Sequence, residues 1–183
     1  MFVAMENVQN LLFLVPVILF VHEMEEWNVH QFHLDQYDNA IPGETHLSCR
    51  LWLFFLSIFG FVWTTGCFLI SPLALSCALM FLLIDFSLLN SLQHLALSLK
   101  IRRYNPGLWF GGIVALLGNI WVLAHFVHYA ILPGWAIVLL LLPIIPFLVD
   151  TALSSRKNQT PKMIEWILTF STHLEKVMTQ SPR

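Results

Sequence analysis

The stretch LWLFFLSIFGFVWTTGCFLISPLALSCALMFLLI, residues 51–84, runs for 34 positions with no ionisable side chain other than cysteine. One bilayer crossing takes about 20 apolar residues, so this run is too long for one span and suits most of two. Proline rejects a helix interior and turns its predecessor toward extended backbone, which puts the break at Ser71-Pro72. Span two is therefore expected over about 47–70 and span three over about 73–100. Further along the chain, Gly107 to Ala130 makes span four, closed by the Leu132-Pro133-Gly134 turn. Gly134 to Val149 makes span five, with kinks expected at Pro143 and Pro146. Toward the N-terminus the apolar run is shorter, 11 residues from Leu11 to Val21. A span one of about 8–27 is long enough to cross but must carry His22, Glu23, Glu25 and Glu26 at its inner boundary.

Composition agrees with this all-α reading. Of 183 residues, 57% are hydrophobic and 11% charged, against about 45–50% and 25% in soluble domains. Mean hydropathy is +0.72. A net charge of −2 lacks the clustered cations of a nucleic-acid surface. Cys49, Cys67 and Cys77 lie in or beside apolar runs without CxxC pairing and read as small hydrophobes. The expected architecture is a polytopic membrane helix bundle of five transmembrane helices over residues 1–153. A tail over 154–183 follows, carrying an amphipathic interfacial helix that opens at Thr160-Pro161.

Orientation follows from the cations. Arg50 opens span two, Lys100, Arg102 and Arg103 follow span three, and Arg156, Lys157 and Lys162 follow span five. With five spans they all fall on one side; four or six would divide them. The positive-inside rule then places the N-terminus outside and the C-terminus in the cytoplasm, as for a protein of a bacterial inner membrane.

Three polar groups share that inner side. His22, Glu25 and Glu26 are related as i, i+3 and i+4. Asn90 and His94 are again i, i+4, on a polar stripe with Ser87, Ser91 and Ser98. Tyr104-Asn105-Pro106-Gly107 forms a turn whose proline and glycine fix the backbone beside Tyr104. In this order H-x-x-E-E, N-x-x-x-H and Y-x-P-G resemble the HXXEE family of integral membrane proteins. The resemblance implies enzymatic activity without a settled reaction.

The residues themselves suit a divalent metal site for zinc, or for iron or manganese. His22, Glu25 and His94 are candidate ligands, and Glu26 is a further ligand or the general base. Asn90 suits an orienting role and Tyr104 a donor to a developing oxyanion. Asn90 and His94 would equally serve as hydrogen bonds between helices, and Tyr104 with Arg102 and Arg103 as interface anchors. His46 is the best extra ligand, and a second metal would draw on His30, His33, Asp35 or His46. His30 and His33 otherwise read as surface residues, and Glu23 as a solvated interfacial end off the His22–Glu26 face. Asp85, about 13 Å up the helix from His94 by helical rise, is expected to be hydrogen-bonded within the bundle.

The leading expectation is a metal-dependent enzyme, a hydrolase before an oxidase, taking a lipid or other apolar substrate from the bilayer. The alternatives are a proton- or ion-coupled transporter and a haem-anchoring or structural membrane protein.

Overall fold

The computed structural model describes residues 8–39 and 41–180. Five helices are long and apolar enough to cross a membrane: Val8–Glu25, His46–Phe68, Leu73–Ile101, Leu108–His128 and Gly134–Arg156. They match the expected spans one to five, and no strand occurs among the described residues.

Proline and capping chemistry explain the irregularities. In span one, Pro16 cannot donate to the Leu12 carbonyl, and the helix is interrupted at Leu12-Phe13 before resuming over Leu14–Glu25. Span five breaks at Leu142-Pro143 into Gly134–Leu141 and Ile144–Arg156. Pro146 does not interrupt the helix, because the first turn needs no internal N–H donor there. The expected boundary at 153/154 falls inside this last helix. Span two opens on a capping box: the Thr45 hydroxyl accepts from Leu47 N and Ser48 N, and Thr45 N donates to Ser48 Oγ.

The core is a seam between spans one, three and four, with Leu12, Val15, Leu19, Leu83, Ile84, Val122 and Phe126 almost wholly enclosed. Glycines let the helices close up. A Cβ at Gly60 would lie 3.3 Å from Leu19 Cδ2, and one at Gly118 would run into Ile18 Cδ1. Phe54, Ile58, Val62, Leu117, Trp121, Val138 and Leu139 face outward, as a lipid-facing surface requires.

The C-terminal helix runs over Lys162–Gln180 and begins one residue after Pro161. Its first N–H, from Lys162, is capped by Asp150 Oδ2 of span five at 2.8 Å; Thr160 instead donates its own N–H to Asn39. One side of the helix packs on the bundle. Leu168 and Ile164 join Val29, Ile41 and Cys49 in a small apolar cluster, and Thr45 Oγ1 donates to Glu175 Oε2 at 2.6 Å. Trp166, Phe170, Val177 and Met178 remain exposed. The helix thus closes the end of the bundle at which the three polar motifs lie.

Candidate functional site

Spans one and three bring His22 and His94 edge to face, with ring centroids 4.9 Å apart. Glu26 lies against both, its Oε1 3.1 Å from His94 Nε2 and its Oε2 4.0 Å from His22 Nε2. The ligand atoms of His22, Glu26 and His94 all lie within 4.8 Å of one another. Asn90 Nδ2 donates to His22 Nε2.

The tautomer of His94 is set by Asn105, whose side-chain carbonyl oxygen accepts from Nδ1 at 2.7 Å; its amide then donates to the His94 backbone carbonyl at 3.0 Å. With the proton on Nδ1, a neutral His94 presents the Nε2 lone pair to a carboxylate oxygen. That arrangement asks for a cation or proton between them. Asn105 is fully enclosed. It occupies the unspecified position of Y-x-P-G, so the motif pattern gave it no weight.

Glycine makes room for the cluster. Gly107 has φ +88°, in the left-handed region. A Cβ there would lie 2.5 Å from His94 Cε1, 2.7 Å from His22 Cε1 and 2.8 Å from Glu26 Oε1. The chain then enters a π-helical turn, Leu108–Val114, in which Gly112 N donates to Gly107 O at 2.9 Å. Such turns recur at functional sites. A Cβ at Gly111 would overlap the His22 ring.

The carboxylates of span one divide differently from the expectation. Glu25 does not join the cluster: its Oε1 accepts from Tyr104 Oη at 2.8 Å and Trp109 N at 3.0 Å, and its Oε2 from Phe110 N at 2.7 Å. It caps the π-helical turn. Tyr104 spends its hydroxyl on that carboxylate. Partial burial, the hydrogen bond to Glu25 and that group's charge push the phenol up to about 12, which keeps it a donor. Glu23, by contrast, is not a solvated end. It is 1% exposed, its Oε1 lies 3.8 Å from His22 Nε2, and neither oxygen has a hydrogen-bond partner among the described residues. At 100° per residue Glu23 and Glu25 flank the His22–Glu26 face symmetrically, each about 80° from its middle, so the helical wheel does not choose between them and tertiary packing does.

Glu25→Ala is accordingly expected to lower the thermal stability of the detergent-solubilised protein by about 0.5–2 kcal/mol, as loss of a helix cap does. Glu25→Gln should restore the cap only in part, since its one carbonyl oxygen still accepts while its amide nitrogen faces a donor.

Of the other sequence candidates, His46 stacks edge-on against His30 at 4.7 Å and stays with the 26–45 segment. His30 and His33 are not free surface residues: both lie on a short helix, Val29–Gln36, and turn onto Glu44. Asp85 is half-buried, with Oδ1 enclosed and unpartnered among the described residues, where a hydrogen bond was expected.

Glu23, Glu26, Asn90, His94 and Asn105 line a cavity of about 480 Å³ that also reaches His33, Cys49 and the C-terminal helix. A wholly apolar groove of about 340 Å³, bounded by Trp52, Phe55, Phe59, Leu82, Phe86 and Ile167, shares Trp52, Phe86 and Ile167 with its wall.

Apolar spans enclosing a His/Glu/Asn centre at one end of the bundle define a polytopic helical membrane protein with a buried polar site. A family model described as a protein of unknown function with HXXEE motif matches residues 13–122, more than half the chain. The chain belongs to this family, and each of the three motifs sends residues to the one centre: His22 and Glu26, Asn90 and His94, and Gly107. No curated protein and no solved structure matches it.

Proposed function

We propose that the protein is a metal-dependent membrane hydrolase acting on a lipid or another apolar substrate at the cytoplasmic interface. The observation that carries the reading is a set of buried, unpartnered polar atoms around one space. His94 Nε2 and both Glu23 oxygens have no hydrogen-bond partner among the described residues, and Glu26 lies beside them in the space that Gly107 leaves. Burying such groups without partners is costly. Two metal–ligand bonds of about 2.1 Å reach across at most about 4 Å, and Glu26 lies within that reach of both imidazoles, 3.1 Å from His94 Nε2 and 4.0 Å from His22 Nε2.

His22, Glu26 and His94 would hold a divalent ion, zinc or else iron or manganese; Asn105 orients the His94 imidazole, and at His22 Nε2 the ion would take the place of the Asn90 amide. Bound there, the ion supplies polarisation of a carbonyl or phosphoryl oxygen and acidifies water. Glu23 takes the proton of the attacking water at a carboxylate oxygen and later returns it to the leaving group. The groove beneath Trp52 and Phe86 receives an apolar chain from the bilayer. Hydrolysis is preferred to oxidation because it needs no separate oxidant or reductant.

The haem reading fits poorly, since rings 4.9 Å apart leave no space for a macrocycle between them. Asp85, with its enclosed oxygen, is the one feature favouring an ion-coupled transporter, but the constellation gathers at the end of the bundle rather than its middle. The proposed orientation, with the N-terminus outside, follows the cations.

Metal-loaded protein in proteoliposomes, offered a panel of long-chain carboxylic and phosphate esters, is expected to release product from at least one. The release should stop with chelator and in His94→Ala. Failure to turn over any ester in the panel would overturn the hydrolase reading.

A further inference from the structure

A second cluster lies outside the HXXEE centre. Three groups converge on one oxygen of Glu44: Oε1 is 3.3 Å from His30 Nδ1, 2.8 Å from His33 Nδ1 and 3.0 Å from Cys49 Sγ. The ligand atoms of His30, Glu44 and Cys49 all lie within 4.8 Å of one another. The Glu44 side chain is 3% exposed, those of His30 and His33 are 12% and 14% exposed, and Cys49 is 1% exposed. The four residues come from the Val29–Gln36 helix, the loop after it and the first turn of span two.

One carboxylate oxygen offers two lone pairs, so it cannot accept well from three donors at once. A cation in place of the imidazole and thiol protons removes that crowding. The mixture of a soft thiolate, an imidazole and a carboxylate is a zinc donor set, and zinc is commonly four-coordinate.

We propose that His30, Glu44 and Cys49 form a second metal site, selective for zinc, in which His33 holds the Glu44 carboxylate in place. His33 and Cys49 also line the large cavity. Zinc here would pin the Val29–Gln36 helix to span two and set the shape of that wall. The chemistry distinguishes it from the HXXEE centre: only this site contains a sulfur ligand.

Cobalt(II) titration in mild detergent tests it, because thiolate ligation gives a near-ultraviolet charge-transfer band that a His/Glu site lacks. The wild type is expected to develop the band to one equivalent and to lose it when zinc is added. The Cys67→Ser/Cys77→Ser protein, in which Cys49 is the sole thiol, should show the same band, and so should His94→Ala. Cys49→Ser should abolish it. His33→Ala should weaken cobalt binding about 10–100-fold, as loss of a ligand's supporting hydrogen bond does. A wild type that takes up cobalt without the band, or takes up none, overturns the proposal whatever the variants do. So does a band lost from the folded Cys67→Ser/Cys77→Ser protein. Failure of the HXXEE centre would read differently, as a missing metal equivalent with the thiolate band intact.

Discussion

Gly107→Ala is expected to lower metal affinity at the His22–Glu26–His94 centre by about 100-fold, the upper end of what disturbing a ligand's support costs. Two effects combine. The backbone at φ +88° costs a residue with a Cβ about 1–2 kcal/mol. The added methyl would also lie within 2.8 Å of all three candidate ligands, so at least one must move. Spans one, three and four are packed elsewhere, through Leu19, Leu83, Ile84 and Phe126, and the helicity by circular dichroism should be unchanged. Competition titration against a chromophoric chelator measures the affinity. An alanine variant that binds metal like the wild type would show that the cluster does not need the space the glycine leaves.

Glu23→Gln carries the second large effect. If Glu23 is the base, turnover should fall by about 10²–10⁴-fold, while metal content stays at the wild-type level because His22, Glu26 and His94 are intact. Metal-free protein should become more stable at pH values where Glu23 is ionised, since a neutral amide then replaces an enclosed charge without a hydrogen-bond partner. The signature is opposite movement: melting temperature up, turnover down. Equal turnover in the variant would remove Glu23 from the chemistry, and a loss of metal would make it a ligand instead.

Span boundaries were legible because bilayer thickness and proline geometry act locally. Residues 51–84 had to divide at Ser71-Pro72, and they do. The motif residues His22, Asn90 and His94 were legible for a similar reason, since helical spacing places each on an inward face. What escaped depends on tertiary contact. Glu25 looks equivalent to Glu26 until the chain after Gly107 returns three donors to it. Glu23 looks solvated until the Val29–Gln36 helix and the C-terminal helix enclose the cavity it lines. Glu44 and Cys49 carried no motif; only the folding of a loop over span two sets them beside His30 and His33. Asn105 was visible as a residue but not as the partner that fixes the His94 tautomer.

In the proposed reading, residues of the three motifs assemble one metal centre. Elemental analysis of protein purified in mild detergent and reloaded with zinc, manganese or iron tests it most directly, comparing wild type with His22→Ala and His94→Ala. Each variant is expected to hold one metal equivalent per chain fewer than the wild type, at equal helicity. Identical metal content in all three proteins would contradict it.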